Sequence, residues 1–244
     1  MSLSRTESNP IKKFYFMVEA LKLKFYEKVL RSVTCVLAIS PNDHNYFSRK
    51  YHNSLLIGPF HPYNHSESLT GIGDFILFHG DLSVNENEAI SNSLITNVFS
   101  KIPYFCIIAG KNPSEKLTSL ASHYSNIQVV SNPEKGEMAS LIMNAQIHLL
   151  PALTTNGFKL KLLLALYAGR HCLINSIASK NNSLGKVCYT ADSNSEIIAQ
   201  IHKLMHLPFT TEMITERQKL LSENYCNLTN ASRLIEIINR NFQD

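Results

Sequence analysis

Short apolar runs recur along the chain at Phe75–Phe78, Phe105–Ala109, Ile127–Val130, Ile147–Leu150, Cys172–Ile174 and Val187–Tyr189. Segments of helical periodicity separate most of them, at Glu86–Phe99, Glu115–His123, Glu137–Ala145 and Phe158–Ala168. Strands that alternate with helices in this way predict an α/β fold built on a doubly wound parallel sheet. Three further amphipathic segments follow, at Ser195–Met205, Thr211–Glu223 and Leu228–Asn239. Ahead of the regular alternation the pattern differs. Ile11–Arg31 reads as a helix carrying many aromatic and aliphatic side chains, Cys35–Ile39 as a strand, Ser40-Pro41 as the cap of a helix through Tyr51, and Leu55–Ile57 as a small strand. A stretch rich in His, Pro, Ser and Gly then intervenes. We divide the chain into an N-terminal fragment (11–62), a linker (63–73) and an α/β domain with C-terminal helices (74–244).

Composition narrows the classes. With 244 residues, 44% of them apolar and 17% charged, the chain has ample material for a globular core. Its net charge of +4 is matched by one segment: Lys12, Lys13, Lys22, Lys24, Lys28 and Arg31 stand against Glu19 and Glu27. The rest is near neutral, which argues against a nucleic-acid-binding protein with a broad basic face. That basic, aromatic segment fits either packing on another domain or peripheral contact with an anionic membrane surface. The five cysteines are odd in number, scattered and without a Cys-x-x-Cys pair, so they predict free thiols in a reducing, cytoplasmic setting rather than a zinc site or disulfide frame. No Gly-x-Gly-x-x-Gly turn follows any strand, which disfavours a dinucleotide dehydrogenase.

The chemistry concentrates in the turn Pro151–Gly157, reading PALTTNG, between a strand and the next helix. It offers two hydroxyls, the amide of Asn156 and a glycine that allows close backbone approach. Lys159 and Lys161 follow. A helix start presents free N–H groups and the positive end of the dipole, so an anion is favoured there and lysines are not, unless an external phosphate accompanies them. The same residues are compatible with a simple N-cap and a solvated lysine.

NGFKLKLLLALYAGRHCLI resembles the signature of glycosyltransferase family 4, of the GT-B class. Gly157, Phe158, Ala165 and Gly169 match it in register, with Cys172–Ile174 as its following strand. The two glutamates of that signature fall at Asn156 and Leu164, its second glycine at Lys159 and its proline at His171. The Gly-x-Lys-x-Lys-Leu-Leu variant is similar to a bacterial mannosyltransferase-like subset. FYEKVLRSVTCVLAISPNDHNYF resembles the last helix–strand–helix of the N-terminal half of such enzymes. The resemblance therefore implies that roughly 150 residues of an acceptor domain would precede this chain.

The function implied by the resemblance is transfer of a hexose, with mannose one candidate, from a nucleotide diphosphate sugar to a glycan or lipid-linked acceptor. It further implies a retaining reaction in polysaccharide biosynthesis at the inner face of the membrane, with no cofactor and no metal. Gly157, Phe158 and Lys159 would hold the diphosphate, Gly80 and Lys111 would assist, and Asn156 would contact the sugar. No catalytic base is assigned. His79, His148 and His171 lie on separate elements with no carboxylate cluster, a poor metal set. Asp81 stands where the family carries a basic residue. Together with the missing glutamates, this keeps open a non-catalytic nucleotide-sugar-binding or assembly protein of the same fold.

Overall fold

A computed structural model describes residues 10–155, 157–180 and 183–241. They form two compact units, one of the N-terminal residues through Ile57 with the chain end from Glu236, the other Gly58–Ile235.

In the smaller unit, helix α1 (Pro10–Tyr26) runs into a 3-10 turn, Glu27–Arg31. No residue of α1 is buried, and Ile11, Phe14 and Phe25 are largely exposed. Strand β1 (Val36–Ala38) leads to helix α2 (Pro41–Tyr51), which starts where the sequence predicts it: Ser40 Oγ accepts from Asp43 N at 3.1 Å and Pro41 opens the first turn. Strand β2 (Ser54–Leu56) then pairs parallel to β1. Glu27 gathers Lys50, Tyr46 and Tyr51 around its carboxylate, so this unit is fastened largely by polar contacts.

The larger unit holds a six-stranded parallel sheet. Its strands are β3 (Phe75–Asp81), β4 (Phe105–Lys111), β5 (Ile127–Ser131), β6 (Ile147–Leu149), β7 (His171–Ile174) and β8 (Tyr189–Thr190), in the order β5-β4-β3-β6-β7-β8. The helices between them are α3 (Asn85–Asn97), α4 (Glu115–Ser122), α5 (Lys135–Asn144), α6 (Leu160–Ala168) and the one-turn α7 (Ser176–Ser179). Helices α8 (Asn194–Leu204), α9 (Thr211–Tyr225) and α10 (Asn227–Asn241) follow, the last of them counted with the smaller unit from Glu236 onward. The chain works outward to β5, returns to the middle and works outward to β8. The direction therefore reverses between β3 and β6, the place where open α/β sheets form a crevice at their carboxyl edge.

Apolar side chains cover both faces of the sheet, as a parallel sheet requires. Ile76, Phe78, Ile108 and Leu173 belong to the larger core cluster, while Leu77, Ile107 and Ala109 face a smaller one under α5. Strands β3 and β4 run past the apolar residues to Asp81 and Lys111. Gly80 and Gly110 are partners there, and a Cβ on Gly110 would sit 1.7 Å from the Gly80 carbonyl oxygen. The glycine pair lets the ladder continue where periodicity alone predicts a turn.

Two other expectations shift. Helix α6 begins at Leu160, because Lys159 has a non-helical ψ of 66° and Gly157 a left-handed φ of 66°. The stretch 184–187 is a 3-10 turn, so β8 begins at Tyr189. The segment ahead of β3 is strapped along the larger unit: His61 Nε2 lies 2.7 Å from the Tyr225 carbonyl, Glu67 N donates to Tyr167 O at 2.7 Å, and Gly71 bridges Phe209. No helix among the described residues is long and apolar enough to cross a membrane.

Candidate functional site

A cavity of about 110 Å³ opens at the reversal point between β3 and β6. Three connections build it. Glu86 and Asn87 come from the first turn of α3, just past β3; Leu150, Pro151 and Ala152 leave β6; Lys159, Lys161 and Leu162 open α6. Ala178 closes the side nearest β7.

Local hydrogen bonds fix these walls. Asn175, just after β7, accepts from Ala178 N and Ala152 N through Oδ1, each at 3.0 Å, and returns Nδ2 to Ala152 O at 2.8 Å. One amide thus caps α7 and pins the turn after β6. Glu86 accepts from Leu153 N at 2.9 Å, tying that turn to α3. Asn87 donates Nδ2 to Asp81 O at 2.8 Å and crowds Gly80, where a Cβ would meet that same nitrogen at 3.0 Å.

The two lysines differ. Lys159, the residue ahead of the helix, donates Nζ to Thr154 O at 2.9 Å and lines the cavity. Lys161 is the more deeply set: Nζ donates to Asn87 Oδ1 at 3.0 Å and sits 4.8 Å from the centre of the Phe78 ring. Burial, against the pull of Glu86 and with the push of Lys159, brings the Lys161 ammonium down to about 8. Among the described residues that line this small cavity, two ammonium groups stand with one carboxylate, that of Glu86.

Below it, His79 on β3 is buried, its Nε2 has no hydrogen-bond partner among the described residues, and its ring meets that of His148 edge-on at 6.0 Å. Burial chiefly, and Lys161, push His79 down to about 3, so this imidazole is neutral at pH 7. No group of three or more His, Cys, Asp or Glu able to hold a metal occurs among the described residues.

The sequence-derived candidates are dispersed. Lys159 lies on the cavity. Gly157 is exposed in the turn before it, and Phe158 packs on the core with its ring 5.6 Å from that of Tyr225. Gly80 and Lys111 lie on neighbouring strand ends, Lys111 exposed and opposite Asp81. Asp81 is bound locally, accepting from Ser83 Oγ at 2.6 Å. Asn156 lies outside the described residues. Sequence reasoning assigned no site role to Glu86 or Asn87 and named Lys161 only beside Lys159. The available signal was Asn-Glu-Asn at the start of the helix after the first strand of the sheet.

Solved structures share this architecture. TarM superposes with a TM-score of 0.67 at 10% identity, over 88% of this chain and 46% of TarM. The chain shares its fold with GT-B glycosyltransferases. A glycosyltransferase from Rickettsia africae ESF-5 matches with a TM-score of 0.63 at 10% identity, over 86% of this chain and 64% of its own. HepE from Anabaena, solved in complex with UDP and glucose, matches with a TM-score of 0.59 at 10% identity, over 85% and 64%. The chain thus spans about half to two-thirds of the length of the structures it matches. No family model matches the sequence, and no curated protein matches it in a sequence search.

Proposed function

We propose that the larger unit binds the nucleotide diphosphate sugar of a glycosyl transfer reaction. The observation that carries this reading is the cavity at the sheet reversal, which Lys159 and Lys161 both line from the start of one helix. A diphosphate entering it would replace lysine–lysine repulsion with two charge-assisted contacts, and the neighbouring turn amides would supply fixed dipoles. The fold shared with glycosyltransferases supports the same reading, as does a neighbour solved with UDP and glucose.

On this reading the donor carries a hexose, mannose among the candidates, and the acceptor is a glycan or a lipid-linked sugar. Transfer is retaining and needs no metal, because lysines and backbone dipoles neutralise the leaving diphosphate. Lys159, Lys161 and Asn87 would hold the diphosphate, with the Gly157 turn beside them and Glu86 toward the sugar. Gly80, Lys111 and Phe158 are not among the residues that line the cavity, and they take no phosphate contact in this reading.

The test is titration calorimetry and thermal shift with UDP, GDP and their sugars. Binding by at least one nucleotide that weakens in Lys161→Ala supports the donor site, and no shift with any of them removes it. The replacement of both signature glutamates, by Asn156 and Leu164, favours a second reading, a binding protein without turnover. Nucleotide binding without sugar release or transfer to any acceptor would select it.

A further inference from the structure

Cys172 on β7 has as its neighbour Cys188, the residue just ahead of β8. The ladder between β7 and β8 pairs Leu173 with Tyr189, so Cys172 and Cys188 occupy the preceding rung, where Cys188 keeps extended backbone (φ −122°, ψ 156°). Paired residues of adjacent strands lie about 4.8 Å apart, inside the Cα separation that a disulfide spans. Both side chains pack in the same core cluster. Cys188 also donates to Leu184 O at 3.1 Å.

Access differs between them. Cys172 is 1% exposed, whereas Cys188 is half-buried and lines a second cavity of about 230 Å³, with Tyr189, Phe209, His171 and Arg217. The buried Arg217 guanidinium is fastened there by the Gly169 carbonyl at 2.6 Å and stacks on Phe209 at 4.4 Å. Its charge acts on both sulfurs. Burial opposes ionisation of Cys172, but the Cys188 sulfhydryl and Arg217 outweigh it, and the Cys172 thiol lies below its ordinary value. The neighbouring Cys172 and burial hold Cys188 well above its own.

We propose that Cys172 and Cys188 form a reversible dithiol–disulfide pair, oxidised by a peroxide that enters through the second cavity. One sulfur, as thiolate, attacks a peroxide oxygen, cleaves the O–O bond and becomes a sulfenic acid as hydroxide leaves. The other loses its proton to that hydroxide and displaces the sulfenic hydroxyl, which departs as water after taking up a proton. Two thiols and one hydrogen peroxide give one disulfide and two waters. The bond clamps β8 to β7 and closes the segment 173–187. It holds whether or not the first cavity binds a nucleotide.

The test treats the full chain with stoichiometric hydrogen peroxide, followed by intact mass, non-reducing peptide mapping and a melting curve. The expected product lacks two hydrogens, links the peptides of Cys172 and Cys188, and melts roughly 6–12 °C higher, returning to the starting value with dithiothreitol. In Cys172→Ser, Cys188 stops at a sulfenic acid trapped by dimedone. Linkage through Cys35, Cys106 or Cys226 overturns the proposal. So does oxidation of Cys188 while Cys172 is still alkylated after unfolding, or a linked product that melts no higher.

Discussion

Lys161 Nζ donates to Asn87 Oδ1 across 3.0 Å, joining the helix after β6 to the helix after β3 at the point where the sheet reverses. The bond holds an ammonium group in a cavity whose burial brings it down to about 8. A bound diphosphate favours the charged form, so binding takes up a proton wherever free Lys161 is neutral. Affinity for UDP or GDP is therefore flat below about pH 7.5 and falls about tenfold by pH 9. Calorimetry at pH 7, 8 and 9 checks this. The dependence disappears in Lys161→Met, and a wild-type affinity constant to pH 9 would exclude Lys161 from the phosphate contacts.

Lys159 faces the same cavity from the residue before the helix, held by Thr154 O at 2.9 Å. Lys159→Ala is expected to weaken nucleotide diphosphate binding about tenfold, about 1.4 kcal/mol. Unlike Lys161→Met it leaves a pH dependence, shifted upward because the neighbouring positive charge is gone. Unchanged affinity in calorimetry removes Lys159 from the site.

These two lysines mark how far the sequence reaches. The apolar runs at 75–78, 105–109 and 147–150 identify their strands because burial on both sheet faces leaves a continuous apolar signature. The extension of β3 and β4 to Asp81 and Lys111 is hidden, since it depends on Gly80 and Gly110 meeting across the ladder. Lys159 stands out locally, beside the glycine turn. Lys161 reads as one more polar helix position until its partner Asn87, 74 residues earlier, is known. Glu86 is the same case: its contact with Leu153 N exists only because β3 and β6 are neighbours. Strand order, set by packing over the whole sheet, is the missing information.

Gly169 passes so close to His148 that an added Cβ would lie 2.0 Å from His148 Nε2, with ring carbons at 2.6 and 2.8 Å. His148 is fully buried on β6 and cannot swing into solvent. Gly169→Ala is thus expected to destabilise the larger unit by about 2–3 kcal/mol. Removing the imidazole opens the space, so His148→Ala together with Gly169→Ala should cost less than the sum of the single changes. Denaturant titration of the four proteins measures that coupling. Simple additivity would mean that the two sites do not touch.

His79 ties stability to acid. Burial, with Lys161 nearby, lowers it to about 3 in the folded chain from an ordinary value of 6.5. Between these limits the unfolded chain binds a proton that the folded one does not, so stability rises with pH there and is lost as pH falls below about 6.5. The loss from His79 reaches about 2 kcal/mol by pH 5. His79→Leu, close in volume and unable to titrate, removes that part of the slope while leaving the contribution of His148, which burial also lowers. Urea denaturation at pH 7, 6 and 5 separates the two proteins. Parallel stability curves would mean that His79 takes up its proton in the folded state with little penalty, through water reaching Nε2.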